Sequence, residues 1–197
     1  MLALGGPAGD EAADSRREGL MAALDKVGSA RLLQYVTADW NQAVAYRKTE
    51  GLLHRYPRVH AIWAANDPMA LGAVQAANEA GLTAGRRMLI AGIDWNPPAL
   101  EAVRNGSLLA TLGGHFVEGG FALVVLYDFF RGKDFAEVSG TTLSTHMGLL
   151  HAGNIDQYIR QFSDQDWSRI RFSEFSRVLN PDQPAYDFSL NRLLEAM

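Results

Sequence analysis

The sequence predicts an α/β protein built on a doubly wound parallel sheet. Short apolar segments of strand character recur between Leu2 and Leu112, and helical patterns with their own start and stop signals fill most of the gaps between them. Polar or aromatic residues also stand at the carboxyl end of each apolar segment, the edge at which open parallel sheets take their ligands.

The segments with strand character are Leu2–Leu4, Arg31–Val36, Val59–Ala64, Met88–Ile93 and Ala110–Leu112. The first helix is expected from about Asp10 to Val27 and the second from about Asp39 to Arg55. The third runs from Asp67 to Ala80, with Asp67 as N-cap and Pro68 in the first helical position. Met69, Ala70, Ala73, Val74, Ala77 and Ala80 form its apolar face, and Gly81 ends it. In that scheme Asn66 has no capping role and stands at a strand end with both a donor and an acceptor for a ligand. A fourth helix, Pro97 to Asn105, has Asn96 as its cap and Gly106 as its stop. The fifth, about Val117 to Phe130, is apolar nearly all round and so expects cover on more than one side.

After Gly140 the character changes. Thr141 to Leu150 reads as one more strand, and 7 of the 19 aromatic residues fall between Gly153 and Met197. So many rings call for an irregular helical tail that packs against the body or a partner. The expected organisation is therefore 1–114 as a ligand-binding lobe, 115–150 as a crossing segment and 151–197 as an aromatic-rich tail.

Composition narrows the function. A net charge of -4 without a run of Lys or Arg gives no electrostatic footprint for nucleic acid or an anionic membrane. With no cysteine, disulfides, thiolate metal sites and cysteine nucleophiles are excluded. The five histidines, His54, His60, His115, His146 and His151, lack metal-ligand spacing, and there is no Gly-x-Ser-x-Gly elbow. No metal, cofactor or catalytic residue is expected. No run of about 18 apolar residues exists, and Met1-Leu-Ala-Leu-Gly-Gly lacks the basic and hydrophobic regions of a signal peptide. The loop Leu4 to Asp10 resembles a phosphate cradle in outline, but without a P-loop Lys-Ser/Thr or G-x-G-x-x-G spacing an ordinary glycine-rich turn explains it better.

The candidate ligand-binding residues are those at the strand ends: Asp14 and Arg16 after the first, Trp40 after the second, Asn66 after the third, Asp94 and Trp95 after the fourth, and His115 after the fifth. Carboxylate, amide and guanidinium groups hydrogen-bond vicinal hydroxyls in pairs, and an indole offers a flat face to the C–H side of a sugar ring. Each has a plain structural alternative, with Arg16 pairing with Asp14 or Glu18 on its own helix, Trp40 in the core and Asp94 capping a turn.

Five segments resemble the type I periplasmic solute-binding proteins, especially the ribose-binding-like and autoinducer-2-binding-like members. They are Ser15-Arg-Arg-Glu-Gly-Leu20, Thr37-Ala-Asp-Trp-Asn41, Ala64 to Gly72, Ala91-Gly-Ile-Asp-Trp95 with Pro98-Ala-Leu, and Asn105 to Thr111. The resemblance, from about Leu2 to Phe135, implies a non-enzymatic, periplasmic receptor that binds a sugar or sugar-like polyol by lobe closure and hands it to the membrane permease of an ABC importer or to a sensor protein. It places Arg16 on the family's sugar-binding arginine, Trp40 on a ring-stacking aromatic, Asn66 on the binding asparagine and Asp94 on the binding aspartate. Gly114, with His115 beside it, stands where a polar residue usually follows the Ala-Thr strand. The match begins at what corresponds to the second lobe, which implies weak or undetectable sugar affinity and an apolar 115–150 segment offered to a homodimer. The effector-binding domain of a LacI/GalR-like repressor shares this fold and many of the motifs and is the alternative.

Overall fold

Alternation of strand and helix along the first 112 residues gives the expected parallel sheet. The computed structural model describes residues 1–140, 142–143, 145–162 and 166–196 and divides them into two units, one of residues 1–112 and 149–156, the other of residues 113–148 and 157–197.

The first unit contains β1 (Leu2–Gly5), α1 (Glu11–Val27), β2 (Gln34–Thr37), α2 (Gln42–Arg55), β3 (Ala61–Ala64), α3 (Asp67–Glu79), β4 (Leu89–Ile93), α4 (Pro97–Arg104) and β5 (Ala110–Gly113). The sheet order is β2-β1-β3-β4-β5, continued at the far edge by a strand at Gly148–His151. The pairings from β2 through to β5 are all parallel. The chain moves one way along the sheet from β1 to β2 and the other way from β2 to β3. Right-handed crossovers therefore put α1 on one face and α2, α3 and α4 on the other. Leu2, Ala3 and Leu4 of β1 are fully buried, as expected of a strand covered on both faces. Gly72 allows α3 to lie close on α2, since a Cβ there would come within 2.3 Å of the Gln42 carbonyl oxygen.

Several boundaries differ from the sequence expectation by a residue or more, β3 for example starting at Ala61 rather than Val59, and at three of them the physical reason is visible. The second strand starts at Gln34 rather than Arg31, because β1 offers ladder partners only from Leu2, which is in register with Gln34. The second helix starts at Gln42 rather than Asp39. Asp39 and Trp40 have φ of 54° and 58°, which a right-handed helix cannot absorb, and Asn41 caps the helix by accepting from the Val44 N–H at 3.0 Å. The third helix is capped by Asn66, whose Oδ1 accepts from the Met69 N–H at 2.9 Å, and Asp67 is its first helical residue.

In the second unit, α5 (Glu118–Phe130) follows a 3-10 turn at His115–Val117, and α6 (Ala136–Ser139) follows α5. Thr141 and Ser144 of the expected Thr141–Leu150 strand lie outside the described residues. The strand observed in that region is β6 (Gly148–His151), which from Leu149 belongs to the first unit; α7 (Ile155–Phe162), two 3-10 turns and α8 (Leu190–Glu195) follow it along the chain. The tail packs on α5. Phe121 meets Phe172, Phe175 and Phe188, stacking on Phe188 at 4.3 Å between centroids. Fully buried Asp128 accepts from the Ser176 hydroxyl, the Arg177 N–H at 2.6 Å and the Tyr186 hydroxyl at 3.0 Å. Elsewhere α5 is open, with Leu123 69% and Phe130 78% exposed, so the cover expected on several sides is present on part of the helix.

Candidate functional site

The sheet order places a topological switch point between β1 and β3, where the connections leave in opposite directions and a crevice opens at the carboxyl ends of the strands. Arg16 bridges that crevice. Its first helical turns follow β1, and its guanidinium reaches over to donate from Nη1 to the Ala65 carbonyl just beyond β3. Nη2 donates to Asp94 Oδ1 at 2.9 Å, just beyond β4. The side chains are 18% and 24% exposed respectively, so the pair is held by the fold yet reachable by a small ligand. A guanidinium carries five N–H donors, of which Ala65 and Asp94 take two.

Trp40 flanks the pair. Its ring lies 5.4 Å from the Arg16 guanidinium carbon and covers Gly6, where a Cβ would sit 2.2 Å from a ring carbon. Gly5 likewise makes room for the Tyr35 hydroxyl. The glycines at the end of β1 thus admit aromatic side chains, which is the reason for their lack of side chains that the sequence pattern alone did not reveal. Asn66 is buried and ties the site together. While Oδ1 caps α3, Nδ2 donates to the Trp40 carbonyl at 3.3 Å, fixing the loop that carries the indole.

Both aromatic–acidic loops share an unusual backbone. Asp39-Trp40 and Asp94-Trp95 each have two successive non-glycine residues at positive φ, and Asp94 at 121° is the most extreme. Such conformations are strained for L-residues and persist where the surroundings over-determine them. Around Asp94 those constraints are visible, with its N–H donating to the Leu112 carbonyl at 2.7 Å and the Trp95 indole N–H donating to the Thr111 carbonyl at 3.1 Å.

Of the residues singled out from sequence, Arg16, Trp40, Asn66 and Asp94 converge at the crevice. Trp95 does not present an open face. It is 4% exposed, and its indole N–H donates to the Thr111 carbonyl of β5. Asp14 turns away, because residues two apart on a helix point about 200° apart. It stands near Tyr35, over whose ring Arg17 lies at 4.9 Å, and the alternative pairing of Arg16 with Asp14 or Glu18 gives way to Asp94. His115 belongs to the second unit, at the start of its 3-10 turn.

Sequence reasoning missed Ala65, Thr111 and the true position of Asp67. A backbone carbonyl leaves no mark in a sequence, and a buried threonine looks like any strand residue. The repeated Asp-Trp pair after two strands is the signal that would have drawn attention to both turns. Asp67 is fully buried and accepts from the Thr111 hydroxyl at 2.7 Å and the Asn96 N–H at 2.9 Å. Burial pushes its carboxyl up to about 7, against the downward pull of these two bonds and with a further upward push from Asp94. Among the described residues no group of three or more His, Asp or Glu side chains could hold a metal, and no helix is long and apolar enough to cross a membrane.

Residues 1–134 match the family model described as periplasmic binding protein domain. The chain is 36% identical over 107 residues to the D-allose-binding periplasmic protein of Escherichia coli, covering 54% of this chain and 34% of that protein. It is 32% identical over 136 residues to the xylitol-binding protein of Mycolicibacterium smegmatis, covering 68% of this chain and 38% of that protein. The chain thus matches little more than a third of the length of either relative. A crystal structure of a periplasmic sugar-binding protein from Pseudomonas fluorescens aligns with a TM-score of 0.86 and 38% identity over 98% of this chain and 59% of its own. All but a few of the tail residues therefore have a counterpart there. The binding component of the arabinose ABC transporter from Shewanella sp. ANA-3, bound to α- and β-L-arabinofuranose, aligns with a TM-score of 0.71 and 27% identity over 85% of this chain and 55% of its own.

Proposed function

The chain belongs to the periplasmic binding protein domain family, and from that premise we propose that the crevice at the β1/β3 switch point binds a sugar or sugar-like polyol for an ABC-type importer or a sensor. The family is one of binding proteins rather than enzymes. The observation that carries the reading is the Arg16–Asp94 pair beside the Trp40 ring. An arginine and a carboxylate held together can address adjacent hydroxyls, one donating and the other accepting, while the indole packs on the apolar side of the ring. Asn66 holds Trp40 and the start of α3 in place, so the contacts are formed before the ligand arrives, which lowers the ordering cost of binding. D-Allose, ribose, L-arabinofuranose and xylitol, the ligands in the names of relatives, all carry vicinal hydroxyls that suit this arrangement. The periplasm is the compartment this role requires, and a permease or sensor would read a ligand-selected closed state.

Calorimetric titration of the 197-residue chain with D-allose, D-ribose, L-arabinose and xylitol tests the reading. Saturable binding of at least one, weakened about tenfold or more by Arg16→Ala and by Asp94→Ala, is the expected result. Absence of saturable binding across the panel, or binding indifferent to both substitutions, would overturn it.

A further inference from the structure

Asp67 is a fully buried carboxylate that the ligand contacts do not use. An apolar residue would fill the same space without the desolvation penalty of a charge, so its presence calls for a role beyond packing. It begins α3 and leans across β4, where Gly92 yields the room. A Cβ on Gly92 would come within 2.3 Å of Asp67 Oδ1. From there Oδ1 accepts from Thr111 on β5, and Oδ2 accepts from the Asn96 N–H in the turn after β4. The same turn contains Asp94 and Trp95, both at positive φ, and the Trp95 indole is tied to the carbonyl of the same Thr111.

We infer that Asp67 is a positioning residue, which through Thr111 and the Asn96 N–H holds the strained 94–96 turn so that the Asp94 carboxylate meets Arg16 and a ligand. The inference rests on the reading of this crevice as a sugar site. Asp67 touches no ligand contact directly. The titratable group facing it is Asp94, whose charge is paired with Arg16. Ionised Asp67 accepts both hydrogen bonds with charge assistance, whereas its protonated form must turn one oxygen into a donor. With its carboxyl raised to about 7, the brace loosens as the pH falls through neutrality.

The test compares the full chain with Asp67→Asn, Thr111→Val and Thr111→Ser, using D-allose and D-ribose as probes and following the Arg16 side-chain Nε resonance without ligand. Asp67→Asn and Thr111→Val are expected to weaken probe binding about tenfold or more. Thr111→Ser, which keeps the hydroxyl, is expected to restore it. Wild-type affinity should fall as pH drops through about 7, a dependence that Asp67→Asn removes. In the ligand-free wild type the Arg16 signal should titrate over the same range and should stop doing so in Asp67→Asn. Probe binding and pH profile unchanged in Asp67→Asn and Thr111→Val would overturn the inference. If no probe binds the wild type, the sugar reading fails by itself, and an Arg16 signal that follows Asp67 still supports the positioning role, whereas one that ignores it contradicts that role. Should Asp67→Asn not fold, the isosteric Thr111→Val and its serine rescue decide the outcome.

Discussion

Arg16 and Asp94 lie 78 positions apart in the chain and meet only because the sheet brings the ends of β1 and β4 to one edge. Their residue types were legible in the sequence and their pairing was not, since a carboxylate at 94 serves a turn, a helix cap or a ligand equally well until its neighbours are known. Gly6 makes the point in reverse. Its loop reads from sequence as an ordinary glycine-rich turn, which gives no hint that Gly6 leaves room for Trp40. Gly6→Val should therefore displace the indole, weakening sugar binding and shifting the Trp40 indole NMR signal in the absence of ligand. Asp67 adds a pH prediction. Its folded-state pKa of about 7 lies above the ordinary 3.8, so the native state holds a proton that the unfolded chain releases between those values. Wild-type stability should consequently fall by a few kcal/mol as pH rises from about 4 to about 7 and then level off, and Asp67→Asn should flatten that slope in urea unfolding.

Helix starts decide where the site residues point. The pattern Asn66-Asp67-Pro68 offered two adjacent capping residues, and spacing favoured Asp67 because proline then occupied the first helical position. The structure uses Asn66, whose neutral amide can cap with its oxygen and still donate to Trp40, leaving Asp67 to reach β5. Asn66→Ala should cost about 1–2 kcal/mol of stability from the lost cap, with a further loss of ligand affinity as the Trp40 loop loosens, both measurable on one variant. In the same way α2 begins later than its pattern implied, because the positive φ of Asp39 and Trp40 leaves no sequence trace. In the second unit the apolar character of α5 and the aromatic content of the tail were legible, but their pairing draws on Asp128, a buried charge in an otherwise apolar stretch of helix. Asp128→Asn should weaken the tail's attachment and allow Tyr186 to titrate earlier, since burial first and the Asp128 bond second push that phenol up to about 12. Spectrophotometric titration of the phenol checks the direction.

For the molecule as a whole, the succession of strands and helices was the most legible feature, because periodicity and glycine stops are local properties of the chain. Strand order is not local. The reversal of direction after β2 follows from the pairing of β1 with both β2 and β3, and it creates the crevice in which Arg16 lies. The second unit follows a different logic, since the 113–148 segment and the tail build a common aromatic cluster around Phe121 that no short motif announces. The central claim is that the β1/β3 crevice of the first unit binds a polyhydroxylated ligand. The most direct measurement is an NMR titration of the 15N-labelled chain with the sugar panel, observing the four tryptophan indole signals and the Arg16 side chain. The account predicts that Trp40 and Arg16 shift together and saturate with at least one sugar, while the exposed Trp167 stays still. Saturable shifts that bypass Trp40 and Arg16, or no shift with any sugar, would contradict it.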